Sequence, residues 1–161
     1  MKIRENEMEN IRLATEDDFE FIAELETFIS KQNSEGYPDI YKYTKESIPK
    51  DMYLKEISNE NMYVLEIDNN KIGFYWAQVT EIENVRIKYQ KIYYIISIVL
   101  KQEFIGKGYG KKLFKYIENK AKSNGCKTIE LSVDNYNKRA LRFYKNIGME
   151  EKNIIMRKIV E

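Results

Sequence analysis

The chain has 161 residues, with 27 Lys or Arg against 26 Asp or Glu, a net charge of +1 and 43% hydrophobic residues, which is the length of one domain (residues 1–161 throughout) and the composition of an ordinary globular protein. It contains no His and one Cys, which excludes Ser-His-Asp and Cys-His catalysis, an internal disulfide and a Cys-rich zinc site. No metal is expected, and chemistry falls to Tyr, Glu, Asp, Lys, Ser, that one thiol or the backbone.

In chain order, the opening MKIRENEMEN is charged throughout and has no apolar signal core. No apolar run reaches the roughly 20 residues of a membrane span, so a cytoplasmic chain with no membrane partner is expected. Ile11 to Ala14 reads as a first strand. Thr15 followed by Glu16, Asp17 and Asp18 is a helix start, a hydroxyl cap ahead of acids that face the positive end of the helix dipole. Phe21, Ile22, Leu25, Phe28 and Ile29 then share one helical stripe. Residues 32–44, with Gly36 and Pro38, read as loop, and a second helix is expected over Thr44 to Ser58, with Pro49 unsettling its start.

Met62 to Asp68 alternates and meets a hairpin turn signal at Asn69-Asn70, with Ile72 to Glu81 as the partner strand. Ile92 to Leu100 reads as a central strand buried on both faces. After the glycine-rich turn Gly106 to Gly110, a helix carries Leu113, Phe114, Ile117 and Ala121 on one stripe and closes at Asn124-Gly125. Thr128 to Val133 is a strand, Lys138 to Asn146 a short helix capped by Gly148, and Asn153 to Val160 a last strand. The class is α/β, an α+β arrangement around a mixed sheet.

Charge divides along the chain: residues 1–91 hold 12 basic and 19 acidic side chains, a net of −7, and residues 92–161 hold 15 and 7, a net of +8. Two readings stand: two differently charged partners, or two halves that intermingle in one fold.

The strongest local signal is Leu100-Lys-Gln-Glu-Phe-Ile-Gly106-Lys-Gly108-Tyr-Gly110-Lys-Lys-Leu113. A strand enters three alternate glycines and then a helix, so backbone N–H groups and a helix dipole converge where a phosphate could sit. A P-loop is excluded because Gly110-Lys111 is followed by Lys112 and position 105 is Ile. A dinucleotide fingerprint is excluded because its third glycine would fall on Lys111 or Leu113. A second segment, Asn137-Lys-Arg-Ala140-Leu-Arg-Phe-Tyr144-Lys-Asn-Ile-Gly148-Met149, follows the next strand.

Taken together, the two segments resemble the GNAT N-acetyltransferase superfamily. Its members carry R/Q-x-x-G-x-G/A after the fourth strand and then N-x-x-A-x-x-x-Y-x-x-x-G-F. The resemblance spans residues 11–158, with Ile105 at the usual Arg/Gln position, Met149 at the closing Phe and Tyr94 where histone-type members place a general base. It implies a central, mostly antiparallel sheet of about six to seven strands, splayed between strands 4 and 5 and flanked by about four helices. It also implies acetyl-CoA as co-substrate, with no metal. The pantetheine arm would pair with backbone groups of Val99, Leu100 and Lys101, and the pyrophosphate would sit on the N–H groups of Ile105, Gly106, Lys107, Gly108, Tyr109, Gly110 and Lys111.

The same resemblance makes the Leu100 N–H the oxyanion donor and Tyr144 the general acid, its phenol pKa of about 10 lying near that of the departing thiol. Tyr144 also fits a core position. Asn137, in register with Ala140, fits either a pantetheine contact or a helix cap. For the general base Glu81, Glu83, Tyr93 and Tyr94 all stand open. Ser97 and Cys126 read as small core residues rather than nucleophiles. Tyr37, Tyr41 and Tyr43 form either an aromatic wall for a cationic acceptor or loop packing. The expected partner is a small-molecule amine, cationic by the charge of the N-terminal half. Nucleic acid is not expected as a partner, and a homodimer through the C-terminal strands is open. A catalytically idle acyl-CoA sensor and a protein or peptide acetyltransferase are the alternatives.

Overall fold

The computed structural model describes residues 9–160, so the charged opening segment, Glu9 and Asn10 apart, lies outside the described residues. Five strands form one sheet in the order β1-β2-β3-β4-β5: Glu9–Leu13, Met62–Ile67, Asn70–Ile82, Gln90–Leu100 and Thr128–Leu131. β1 to β4 pair antiparallel, and β4 pairs with β5 in parallel. Four helices accompany them: α1 Phe19–Gly36, α2 Lys50–Ser58, α3 Tyr109–Ser123 and α4 Lys138–Asn146.

Both faces of the sheet are covered. β2 shows why, because it is apolar at every position but Glu66: Met62 and Val64 enter the core beneath α1 and α2, while Tyr63, Leu65 and Ile67 enter the core beneath α3. The expected stripe Leu113, Phe114, Ile117 and Ala121 is the buried face of α3. A cluster of tyrosines lies under it, Tyr63 and Tyr75 stacked at 4.9 Å and Tyr75 and Tyr93 with hydroxyls 3.4 Å apart. α4 lies on the same side, with Tyr144 and Ile147 against that core. Cys126 is buried there too.

The mixed α/β fold is as expected, with three local corrections. The hairpin turn is Asp68-Asn69, both at positive φ and closed by the pair Ile67 and Asn70; this is one residue earlier than the Asn-Asn signal, and a two-residue turn with both φ positive suits the twist of the strands. α1 runs on to Gly36 because its last turn docks on the segment before α4: the Tyr136 hydroxyl donates to Asn33 Oδ1, and a Cβ at Gly36 would fall 2.6 Å from the Tyr136 ring. α2 begins only after Pro49, whose carbonyl accepts from the Tyr53 N–H.

The strand expected over Asn153 to Val160 is absent, so the described residues hold five strands rather than six or seven. Ile154, Ile155 and Met156 run consecutively rather than alternating, so no single face could bury them, and all three are exposed. That segment is held by side-chain ion pairs, Lys152 to Glu130 at 2.5 Å and Arg157 to Asp39 at 2.7 Å.

Candidate active site

The site begins at a fault in β4. Trp76 of β3 pairs with Ser97 and Ala77 with Ile95, which leaves Ile96 as an extra, bulged residue. A bulge shifts the alternation of side chains by one. Tyr93 and Ile95 face the α3 core before it; Ile98 and Leu100 face that core after it, and Val99 belongs to the α1 side. Ser97 shares the face of Val99. The pairing of β4 with β5 stops at the same place, Ile95 against Leu131. Beyond it β4 runs on to Leu100 without a neighbour from β5, and this is the splay expected between the fourth and fifth strands.

The ladder to β3 decides which backbone groups face the gap. The Lys101 N–H donates to the Ile72 carbonyl at 2.8 Å, so Gly73 and Leu100 are a non-hydrogen-bonded pair and their polar groups point away from each other. By the same alternation Val99 bonds to β3, while Ile98 and Leu100 turn their N–H groups into the gap. Of the three residues expected to line it with backbone, Val99 and Lys101 are therefore committed to β3 and Leu100 is open; Ile98, unforeseen, joins it because strand alternation skips one residue.

The glycine turn is narrower than expected. The Ile105 N–H donates to the Gln102 carbonyl and the Lys111 N–H to the Gly108 carbonyl, both at 3.1 Å, so these two donors are already used. Gly106 and Gly108 hold φ of 78° and 95°, a left-handed conformation that costs glycine little. Gly108 is the N-cap of α3, so the amides at the head of that helix point outward without intrahelical acceptors. Tyr109 presents only backbone, its side chain being buried edge-on to Phe104. The Lys107 Nζ lies 5.5 Å from the Phe104 ring centre.

α4 closes this side. Asn137 Oδ1 accepts from the Ala140 N–H at 3.1 Å, which is an N-cap. Gly110 of α3 lies against Phe143, and Tyr144 packs against Phe114 and Phe143. Burial pushes the Tyr144 phenol up to about 12, above the ordinary value expected from sequence, and among the described residues its hydroxyl has no hydrogen-bond partner.

On the other face, a cavity of about 200 Å³ lies between α1 and the loop that follows it. The loop is pinned to α1 by the Thr44 N–H, which donates to Ser30 Oγ at 3.1 Å. Of the three tyrosines expected to wall an acceptor pocket, Tyr41 alone lines this cavity, with its hydroxyl donating to Asp134 at 2.9 Å. Tyr37 instead packs on Tyr136 with the Arg157 guanidinium over its ring, and Tyr43 lines a separate surface hollow.

None of the expected bases lies in the cavity. Glu81 is paired with Lys91 at 3.7 Å, opposite the far end of β4. Glu83 is exposed in the connection to β4. Tyr93 is buried under α3, which pushes its phenol up. Tyr94 shares its hydroxyl with Ser132 at 3.0 Å.

The acid in the cavity is Glu26. Burial pushes its carboxyl up, the Ser97 hydroxyl is the one group that draws it back down, and its Oε1 is buried without a hydrogen-bond partner among the described residues. The signal was present in the sequence: Glu26 sits four residues after Ile22 and three before Ile29, a charge on the buried stripe of α1.

The family model for the acetyltransferase (GNAT) family matches residues 15–149. An uncharacterized N-acetyltransferase of Methanocaldococcus jannaschii is 30% identical over 145 residues, 90% of this chain and 62% of its own. A thialysine N-epsilon-acetyltransferase of Bos taurus is 36% identical over 58 residues, 36% of this chain and 34% of its own. The chain thus spans less than two thirds of the length of either. A Bacillus halodurans protein solved as a point mutant shares the fold at TM-score 0.88 and 22% identity, covering 94% of this chain and 99% of that one. Glucosamine-6-phosphate N-acetyltransferase of Arabidopsis thaliana follows at TM-score 0.67 and 20% identity, covering 96% and 99%.

Proposed function

The chain belongs to the acetyltransferase (GNAT) family, and from that premise we propose that it transfers an acetyl group from acetyl-CoA to the primary amine of a small cationic acceptor. The observation that carries the reading is the opening of β4 after Ile95, which leaves the N–H groups of Ile98 and Leu100 without a strand to bond. They are the donors available to pantetheine amides and to the thioester carbonyl, where an N–H fixed in place stabilises the developing oxyanion. The glycine turn continues from the same strand end, and its outward amides with the α3 dipole suit the two phosphates. Ile105 adds no side-chain contact, so backbone and Lys107 carry that load.

Tyr144 is the proton donor to the departing sulfur. A phenol held near 12 stays protonated through the working range. A thiolate leaving beside it shares the same desolvation, which raises its pKa too, so the gap between the two groups sets the ease of transfer. Asn137 fixes the first turn of α4 and through it the placement of Tyr144. The net charge of −7 on residues 1–91 favours a cationic acceptor.

Thiol release from acetyl-CoA across polyamines, amino acids, aminoglycosides and short peptides tests the reading. Tyr144→Phe should lower kcat about 10²- to 10³-fold, the range of a lost general acid, and leave CoA binding by calorimetry unchanged. Binding without turnover on any acceptor would favour the sensor.

A further inference from the structure

We infer that Glu26, supplied by α1, receives the acceptor's ammonium group and takes its proton, and so is the general base of the reaction; the inference rests on the acetyltransferase reading above. Three observations converge on it. Glu26 Oε1 is buried with no hydrogen-bond partner among the described residues, and an acceptor atom left so costs free energy unless something completes it. Glu26 lines the cavity between α1 and its following loop, so a donor that completes the carboxylate would reach it from solvent by way of that cavity. Finally, the Ile96 bulge turns Ser97 toward α1, and its hydroxyl is the group that draws the Glu26 carboxyl back down. Ser97 is adjacent in sequence to Ile98, whose N–H faces the gap. The base therefore stands over the stretch of β4 whose open N–H groups, Ile98 and Leu100, face the gap, one group above the sheet and the others in its plane.

The titratable side chains that line the cavity with Glu26 are Tyr41 and Lys42, both from the loop, and Ser97 acts on the carboxyl from β4. Tyr41 is turned to Asp134, and Lys42 is not among the groups that shift the carboxyl. No fixed cation neutralises the carboxylate, so an ammonium is the complementary ligand. A cavity of about 200 Å³ has room for about six or seven water-sized groups, enough for the reacting end of a short amine.

R–NH3+ gives one proton to Glu26, and the freed lone pair forms the C–N bond at the thioester carbonyl. The C–S bond breaks, the electron pair leaves on sulfur, and Tyr144 protonates that sulfur. The attacking nitrogen loses its second proton as the amide forms, which restores Tyr144. Glu26 returns its proton to water.

The test compares wild type, Glu26→Gln and Ser97→Ala with acetyl-CoA and three short amines: lysine, thialysine and 1,4-diaminobutane. Glu26→Gln keeps the shape and removes the base. It should lower kcat/KM about 10²- to 10³-fold, flatten the acid limb of the pH profile, leave CoA binding within twofold and not lower the thermal midpoint at pH 7. Ser97→Ala removes the one contact that favours the charged carboxylate, so its acid limb should move to higher pH, a shift that a purely structural role would not produce. An active wild type whose Glu26→Gln variant keeps the same kcat/KM and acid limb overturns the inference and leaves the transferase reading intact. A wild type that binds CoA but neither binds nor acetylates any of the three amines also overturns it. Failure to bind CoA at all overturns the underlying reading, and this inference with it.

Discussion

Asp18 is the buried acid among the described residues and Glu26 has one buried carboxylate oxygen, and the two illustrate opposite uses of a carboxylate. Asp18 is fully buried and fully paired: Arg12 reaches it at 2.7 Å and Lys71 at 2.6 Å, and the Thr15 N–H donates to it at 2.8 Å. Arg12 also bridges to Glu66 at 2.6 Å, so β1, β2, β3 and the start of α1 are tied through one carboxylate. These bonds hold Asp18 well below the usual carboxylate range. A folded pKa below the unfolded value of about 3.9 means that its stabilisation is complete above about pH 4 and drains away as pH falls through the folded value. Asp18→Asn should cost about 2 kcal/mol at pH 7, since it leaves two cations short of a partner that they can replace only partly with water. The deficit should be nearly whole at pH 4 and shrink steadily as pH falls below it, which urea midpoints at three pH values will show. Glu26 has the reverse sign. Its carboxyl is pushed up, so it weakens the fold as pH rises above the unfolded value, a cost consistent with a group kept for chemistry rather than stability.

At the scale of elements, helix ends place the site. α1 and the segment leading into α4 touch at Gly36 and Tyr136, where a Cβ would lie 2.6 Å from the ring. Gly36→Ala should therefore cost about 1–3 kcal/mol by overpacking, and it should raise KM for the amine more than KM for acetyl-CoA, because the contact borders the cavity beside α1 and not the glycine turn. Thermal unfolding together with the two KM values checks both parts. α4 depends on its cap. Asn137→Ala removes the bond to the Ala140 N–H and should lower stability by about 1 kcal/mol. It should also reduce kcat with little change in acceptor KM, since Tyr144 rides on that helix. Asn137→Asp, which caps equally well, should restore most of the stability.

Over the whole molecule, the charge division of the sequence is partly cancelled by folding. Lys112 pairs with Glu9 and Arg157 with Asp39, each joining the basic half to the acidic half. Within the basic stretch Lys115 is also engaged, with Glu118, and Lys120 sits 5.0 Å from the centre of the Tyr63 ring. Near the glycine turn, Lys107 and Lys111 hold no ion pair among the described residues and are placed to face an anion. A field made by exposed side chains is screened by salt, so the Kd for CoA should rise about fivefold between 0.05 and 0.5 M NaCl, as calorimetry can measure. A Kd flat across that range would assign the binding to backbone amides alone.

The sequence by itself settled what is local. The turn at Gly106 to Gly110, the cap at Gly148, and the apolar stripes of α1 and α3 all follow from neighbours a few residues apart, because backbone dihedrals and helical faces are set at that range. The two motifs in series were enough to name the family and with it the splayed sheet. What the sequence left open was which side chains meet. The face that Ser97 presents depends on a bulge, and a bulge exists only relative to a partner strand twenty residues earlier. Whether Val99, Leu100 or Ile98 offers its N–H depends on the ladder to β3. The strand expected at the C-terminus has the right residue types and does not form, because Ile154, Ile155 and Met156 run consecutively and no single face could bury them. Glu26 stood in plain view on an apolar stripe, but only the packing of α1 against β4 shows that its Oε1 is buried without a hydrogen-bond partner among the described residues and that Ser97, next to the open N–H of Ile98, acts on the same carboxyl.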